Sequence, residues 1–136
     1  MINTRFSVAV HILSLLASEP ERRLSSSYIA ASVNTNPVVI RRISGMLKQA
    51  GLLQTKPGVS GSLITRAPED ITLLDIYRAV QQDDLLFSTH SSPNPDCPVG
   101  RNIQSALEDS FKRAQNAMEA ELEKQSLADV TAHLFV

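Results

Sequence analysis

The first apolar run places Phe6, Val8, Ala9, Val10, Ile12, Leu13, Leu15 and Leu16 around most of a helical circumference. A helix apolar nearly all round is buried on several sides. Residues 3–17 therefore predict a central helix, capped by Asn3 or Thr4. "SEPERR", residues 18–23, reads as a turn, and Ser25 or Ser26 caps a short second helix, "SSYIAASV". Asn34-Thr35-Asn36 is a tight link, and Asn34 suits a left-handed backbone. A third helix is expected from Pro37 to about Ala50. Asn36 can cap it, Pro37 occupies a turn where its missing N–H costs nothing, and Gly51 ends it. Its stripe is Val39 or Ile40, then Ile43, then Met46 or Leu47. Two helices joined by three residues form a helix-turn-helix candidate. The spacing of Ala30 (close contact), Asn34 (turn) and Ile40 (buried anchor) supports it, with Ile29, Val33 and Ile43 filling the core.

The period then changes. Leu52 to Lys56 and Ser62 to Arg66 predict two short strands around a glycine-containing loop, "PGVSG". Two strands after a recognition helix make a wing, in which Gly58 and Gly61 let backbone amides approach a phosphate while Lys56 and Arg66 add charge. "ITLLDIYRAV", residues 71–80, predicts a fourth helix, and residues 81–97 read as a polar, proline-containing loop. A long helix follows from about Pro98 to Lys124 with the stripe Val99, Ile103, Leu107, Phe111, Ala114, Met118, Leu122. Such length exceeds what a small head needs and is best explained by a partner helix, most simply its copy in a homodimer. The dimerisation set is Ile103, Leu107, Phe111, Met118 and Leu122, together with parts of helix one. "SLADVTAHLF" is read as a last short helix covering an apolar patch. The expected organisation is a head over 1–80, a loop over 81–97, and a dimerisation helix with tail over 98–136.

Composition sharpens this outline. At 136 residues with 43% hydrophobic content the chain forms one domain with an appended element. No run of 18 apolar residues exists, so neither a transmembrane helix nor a membrane partner is expected. The apolar N-terminus lacks a small-residue cleavage site and reads as a buried helix rather than a signal peptide. The lone Cys97 excludes an internal disulfide framework and fits a reducing cytoplasm. The net charge of −1 hides an asymmetry. Residues 1–66 carry eight Lys or Arg against two Glu, a formal +6, and residues 67–136 carry five against twelve acids, −7. The split suggests a basic reading head and an acidic body.

The third helix carries the candidate chemistry. Arg41 and Arg42 point off its apolar stripe near the N-terminal end, where a recognition helix meets base edges. Gly45 sits mid-helix, where it costs ~1 kcal/mol relative to Ala; a slim surface there permits close approach to a nucleic-acid backbone. Val38 can pack on a thymine methyl. The candidate contacts to double-stranded DNA are Arg5, Ser26, Thr35, Asn36, Val38, Arg41, Arg42, Lys48, Lys56, Gly58 and Ser60. The alternative is a winged helix that binds protein, since fold does not decide function. Catalysis is not expected: no paired carboxylates, metal spacing, nucleotide-binding loop or nucleophile elbow appears, and His11 reads as a core or interface histidine. No cofactor is expected. Cys97 is either a redox sensor or a small apolar filler. Asp96 is the expected cap of the long helix, with Cys97 and Pro98 in its first turn.

"IAASVNTNPVVIRRISGMLKQAGLLQTKPG", "ITLLDIYRAV" and "NPDCPVGRNI" together resemble the Rrf2 family of bacterial transcription regulators over nearly the whole chain. "NTNPVVIRRI" and "CPVG" look like the branch that lacks an iron–sulfur cluster. The resemblance implies a mainly α fold: a winged helix-turn-helix head with a two-stranded wing, and a long C-terminal dimerisation helix. It implies recognition by Pro37 to Leu47 and a wing at Lys56 to Ser62. Cluster-binding members carry three cysteines before the long helix, and here only Cys97 is present, so no [2Fe–2S] cluster is expected. The expected function, from the helix-turn-helix spacing and the two-fold long helix, is a homodimeric repressor of a near-palindromic operator, with a thiol oxidant or small molecule as candidate signal.

Overall fold

The computed structural model describes residues 4–81 and 86–135, so Asn3, one of the two expected caps, lies outside the described residues. The described chain forms two compact units, one of residues up to 81 together with 122–135, the other of 86–121. The first is built around α1 (Arg5–Ser18), whose Ala9, Ile12, Leu13 and Leu16 are fully buried at helical spacing. Its neighbours are α2 (Ser26–Val33), α3 (Pro37–Gln49), α4 (Leu73–Val80) and α6 (Leu127–Thr131), which accounts for an apolar circumference rather than a single stripe. Thr4 is the N-cap residue of α1, without a side-chain cap bond.

Local rules set the helix-turn-helix. Ser25 caps α2 by accepting from the Tyr28 N–H at 3.1 Å. Asn34 adopts the left-handed conformation, φ 64°, and the Thr35 N–H returns to the Ala30 carbonyl at 3.0 Å. Asn36 Oδ1 accepts from the Val39 N–H at 3.1 Å, and Pro37 opens α3. Ile40, Ile43 and Leu47 are at most 1% exposed. Burial of three such side chains contributes on the order of 1.5–3 kcal/mol each, which outweighs the mid-helix glycine.

The wing differs from the expected one. Strands β1 (Leu53–Lys56) and β2 (Val59–Ile64) pair antiparallel, Leu53 against Ile64 and Lys56 against Val59. Pro57 and Gly58 alone make the turn, with Gly58 at φ 75°, an order suited to a type II turn. The expected five-residue loop is thus two residues long, and Ser60 belongs to β2. The extra residues are absorbed by a break in register between Gln54 and Lys56, facing a stretch that contains Gly61 at φ 96°. A Cβ there would lie 2.9 Å from the Arg23 Cβ. Close packing of β2 on Arg23–Leu24, not access for a phosphate, is therefore what Gly61 provides.

The tail belongs with the head, not with the dimerisation helix as expected. The Leu73 N–H donates to the Gln125 carbonyl and the Leu127 N–H to the Ile71 carbonyl, both at 2.8 Å. Leu127 is fully buried, and Leu122 and Val130 pack on the same core. Both α4 and α6 start with reciprocal capping boxes, Thr72 with Asp75 and Ser126 with Asp129.

The second unit holds the loop before α5 (Pro98–Glu123) and most of that helix. None of the described α5 residues is buried; Ile103, Leu107, Phe111, Ala114 and Met118 are half-buried along one stripe. The loop lies along the helix. Leu86 N–H donates to Gln115 Oε1 at 3.1 Å, Gln104 Nε2 donates to the His90 carbonyl at 2.9 Å, and the Phe87 and Phe111 rings are 5.3 Å apart.

Candidate nucleic-acid interface

Burial of Ile40, Ile43 and Leu47 forces the opposite side of α3 outward. Val38, Arg41, Arg42, Gly45, Lys48 and Gln49 are all exposed, and at helical spacing they share one face. Val38 is 64% exposed, an apolar side chain without internal partners. Nothing lies within 4 Å of a Cβ built on Gly45, so no packing inside the chain requires a glycine there. The outer face thus has a basic N-terminal half, an apolar tip and a slot between Arg41–Arg42 and Lys48.

Among the described residues no ion pair neutralises Arg41, Arg42, Lys48 or Lys56. Elsewhere in the head the cations are committed. Arg22 Nη1 lies 2.9 Å from Glu19 Oε1, and Arg66 Nη1 lies 3.9 Å from Asp75 Oδ2 and donates to the Asp70 carbonyl at 3.3 Å. Arg66, expected to add charge to the wing, instead ties β2 to α4. Desolvation against phosphate is cheapest for cations with no partner to lose, which favours the α3 and β1 side chains as contact groups.

The remaining expected contacts are spread around this face. Asn36 is exposed, with Oδ1 used as the cap of α3. Thr35 is half-buried in the turn, and Ser26 is half-buried in the first turn of α2, where Ser25 rather than Ser26 is the cap. Arg5 opens α1 and is half-buried. Lys56, Gly58 and Ser60 are exposed at and beside the wing turn. His11 Nε2 lies 2.9 Å from Ser32 Oγ, joining α1 to α2.

In the second unit, α5 begins at Pro98 and the Arg101 N–H bonds the Cys97 carbonyl at 2.8 Å. Cys97, not Asp96, therefore occupies the cap position. The Asp96 N–H instead donates to Asn94 Oδ1 at 3.0 Å. Cys97 is exposed, and its thiol lies below the ordinary value because the Gly100 and Val99 N–H groups donate to the sulfur. A cavity of about 360 Å³ lies on the Phe111 face between the loop and α5.

Comparison with known proteins agrees with this geometry. Residues 2–133 match the Rrf2 family, described as iron-dependent transcriptional regulators. A relative from Bacillus subtilis strain 168, YwnA, is 52% identical over 99% of this chain and 100% of its own, and its name assigns it to the HTH-type transcriptional regulators. A solved structure titled as a DNA-binding protein is 48% identical, with TM-score 0.78, over 93% of this chain and 97% of its own. Another, titled as a transcriptional regulator from Lactobacillus plantarum, is 29% identical with TM-score 0.84, over 98% and 91%. The iron in the family's description does not fit the donors here. Cys97 is the single cysteine of the chain, its thiol is engaged by helix N–H groups, and no group of three His, Cys, Asp or Glu among the described residues could hold a metal ion. Family and relatives are transcriptional regulators rather than enzymes, and no described helix is long and apolar enough to cross a membrane. With its winged helix-turn-helix, the exposed basic face of its third helix and a match over nearly the whole chain, the chain belongs to the Rrf2 family of transcriptional regulators.

Proposed function

We propose that the protein is a homodimeric repressor that reads a near-palindromic operator through α3, acting in the cytoplasm. The observation that carries this is the outer face of α3, where unpaired Arg41 and Arg42 flank an exposed Gly45 that no internal contact explains. Arg41 and Arg42 contact base edges, Val38 packs on a thymine methyl, and Lys48 and Lys56 meet phosphates. Two recognition helices about one helical turn apart, ~34 Å, suit a two-fold operator. The dimer forms along Ile103, Leu107, Phe111 and Met118, a stripe that stays only half-buried, with the loop ring of Phe87 beside Phe111. Leu122 leaves this proposed seam because it packs on the head core. Cys97 serves as the thiol sensor: a disulfide oxidant such as diamide, by joining Cys97 to a second thiol, replaces the thiolate that accepts the Gly100 and Val99 N–H groups at the start of α5 by an uncharged, weakly accepting sulfur.

The test is selection of duplexes from a random pool by the purified chain, followed by footprinting of its own promoter. A two-fold motif with two protected major-groove faces is expected. Enrichment of no motif, together with binding that is insensitive to salt, overturns the reading in favour of a protein-binding winged helix.

A further inference from the structure

The pair Arg22–Arg23 precedes the helix-turn-helix, and the recognition face above does not use it. The two residues run directly into a stretch built against the wing. The Leu24 N–H donates to the Ser62 carbonyl at 3.2 Å and the Ser62 N–H returns to the Leu24 carbonyl at 3.0 Å. Gly61 is bare because Arg23 lies against it. Arg22 and Arg23 are thereby fixed at the flank of β2, beside the exposed Ser60.

From that flank Arg22 reaches two ways. Its Nη1 meets Glu19 Oε1 at 2.9 Å, and its guanidinium carbon lies 5.2 Å from the centre of the Tyr28 ring. Tyr28 stands in the first turn of α2 and is 44% exposed. Its backbone N–H is taken by the Ser25 cap, and its hydroxyl has no hydrogen bond among the described residues. An exposed ion pair with 60% and 36% side-chain exposure adds little to stability. A cation over a ring does, however, restrict where that ring points. Glu19, Arg22 and Tyr28 thus form a chain that restrains an exposed ring, with its hydroxyl unpaired among the described residues, beside the strip joining the wing to α2.

We propose that Tyr28 donates its hydroxyl to a DNA phosphate beside the recognition helix, with Arg22 as the residue that positions it. The proposal rests on the reading of α3 as a DNA-recognition helix. In a helix-turn-helix the first helix crosses the backbone, and tyrosine hydroxyls are among the groups that fix a protein's register there without reading sequence. The charge of Arg22 is already matched by Glu19, so its part is orientation rather than counterion release.

The test uses the full chain and the duplex that the wild type enriches from a random pool. Tyr28→Phe is expected to bind about tenfold more weakly, the order expected for removing one hydrogen bond to a charged group. Its sequence preference, thermal unfolding and salt slope should stay unchanged, because no charge is removed. Arg22→Ala should fall by a similar factor, and the double variant should be no weaker than the weaker single variant, as coupled residues require. Wild-type affinity in either single variant, or additive effects in the double, overturns the proposal while leaving DNA recognition by α3 intact. Failure of the wild type to enrich any duplex overturns both.

Discussion

Gly45→Ala should make the protein more stable and a poorer DNA binder. A glycine in a helix interior is ~0.8–1 kcal/mol less favourable than alanine, partly because it leaves the unfolded chain freer. Gly45 has no left-handed φ, so alanine fits its backbone without strain. No atom lies within 4 Å of the added methyl, so no steric term offsets the gain. For a unit of this size ~1 kcal/mol corresponds to a rise in melting temperature of about 4–8 °C. On the duplex the sign reverses. The methyl would stand on the face of Arg41, Arg42 and Lys48, and crowding a close-packed interface by one methyl typically costs about 1–3 kcal/mol. Thermal unfolding by circular dichroism and fluorescence anisotropy with the selected duplex measure the two effects on one preparation. A melting temperature equal to or below wild type would mean that Gly45 has an internal role. Unchanged affinity with a raised melting temperature would mean that this part of α3 does not approach DNA closely.

Other outcomes follow from the same geometry. Arg41→Ala or Arg42→Ala should weaken specific binding by roughly 1–3 kcal/mol where the side chain contacts a base; if both variants bind the selected duplex like wild type, the reading face is misassigned. Lys56→Ala should weaken all sequences alike and flatten the salt slope by about 0.9 for each phosphate that is no longer neutralised, which titrations at several salt concentrations measure. Leu107→Glu and Phe111→Glu place a charge in the half-buried α5 stripe and should give a monomer without operator binding; sedimentation showing an intact, DNA-competent dimer for both rejects the seam. The lowered Cys97 thiol should give an alkylation midpoint at lower pH in the native than in the denatured chain, since its thiolate is held by the Gly100 and Val99 N–H groups. Coincident midpoints refute that cap, and equal decline of operator affinity in wild type and Cys97→Ser under diamide removes the sensor role.

Elements governed by neighbours in sequence are legible in the sequence itself. Asn36 with Pro37 marks the start of α3, Asn34 the turn and Gly51 the end, because capping and left-handed backbone depend on a few adjacent residues. Periodicity likewise exposes the buried side of α3 and, by subtraction, its basic face. Contacts between distant segments are not legible in this way. Leu122 continues the α5 stripe by spacing alone, yet it packs on the head because backbone bonds from Ile71 and Leu73 draw residues 125–127 onto α4. Arg66 reads as a wing cation by its place beside the strand, but Asp75, nine positions away, faces it. Asp96 is the better cap by residue type, but Asn94 Oδ1 takes its N–H, and the chain enters the helix at Cys97.

The two glycines beside basic residues show where sequence reasoning stops. By sequence alone, Gly45 and Gly61 are both places where the backbone is bared to a phosphate. Gly61 has a positive φ, and its missing Cβ would collide with Arg23. Its cause lies wholly inside the fold, in the seating of β2 against Leu24. Gly45 has helical φ and open space around it, so alanine would serve the isolated protein better. On the proposed reading of α3, a residue that weakens its own helix without relieving any internal contact answers to something outside the chain. Its position between two arginines and a lysine with no neutralising partners gives that something a negative charge and a surface that must come within a methyl's width of the helix. Duplex DNA meets both requirements: its phosphates supply the charge, and its major groove is wide enough to admit the helix.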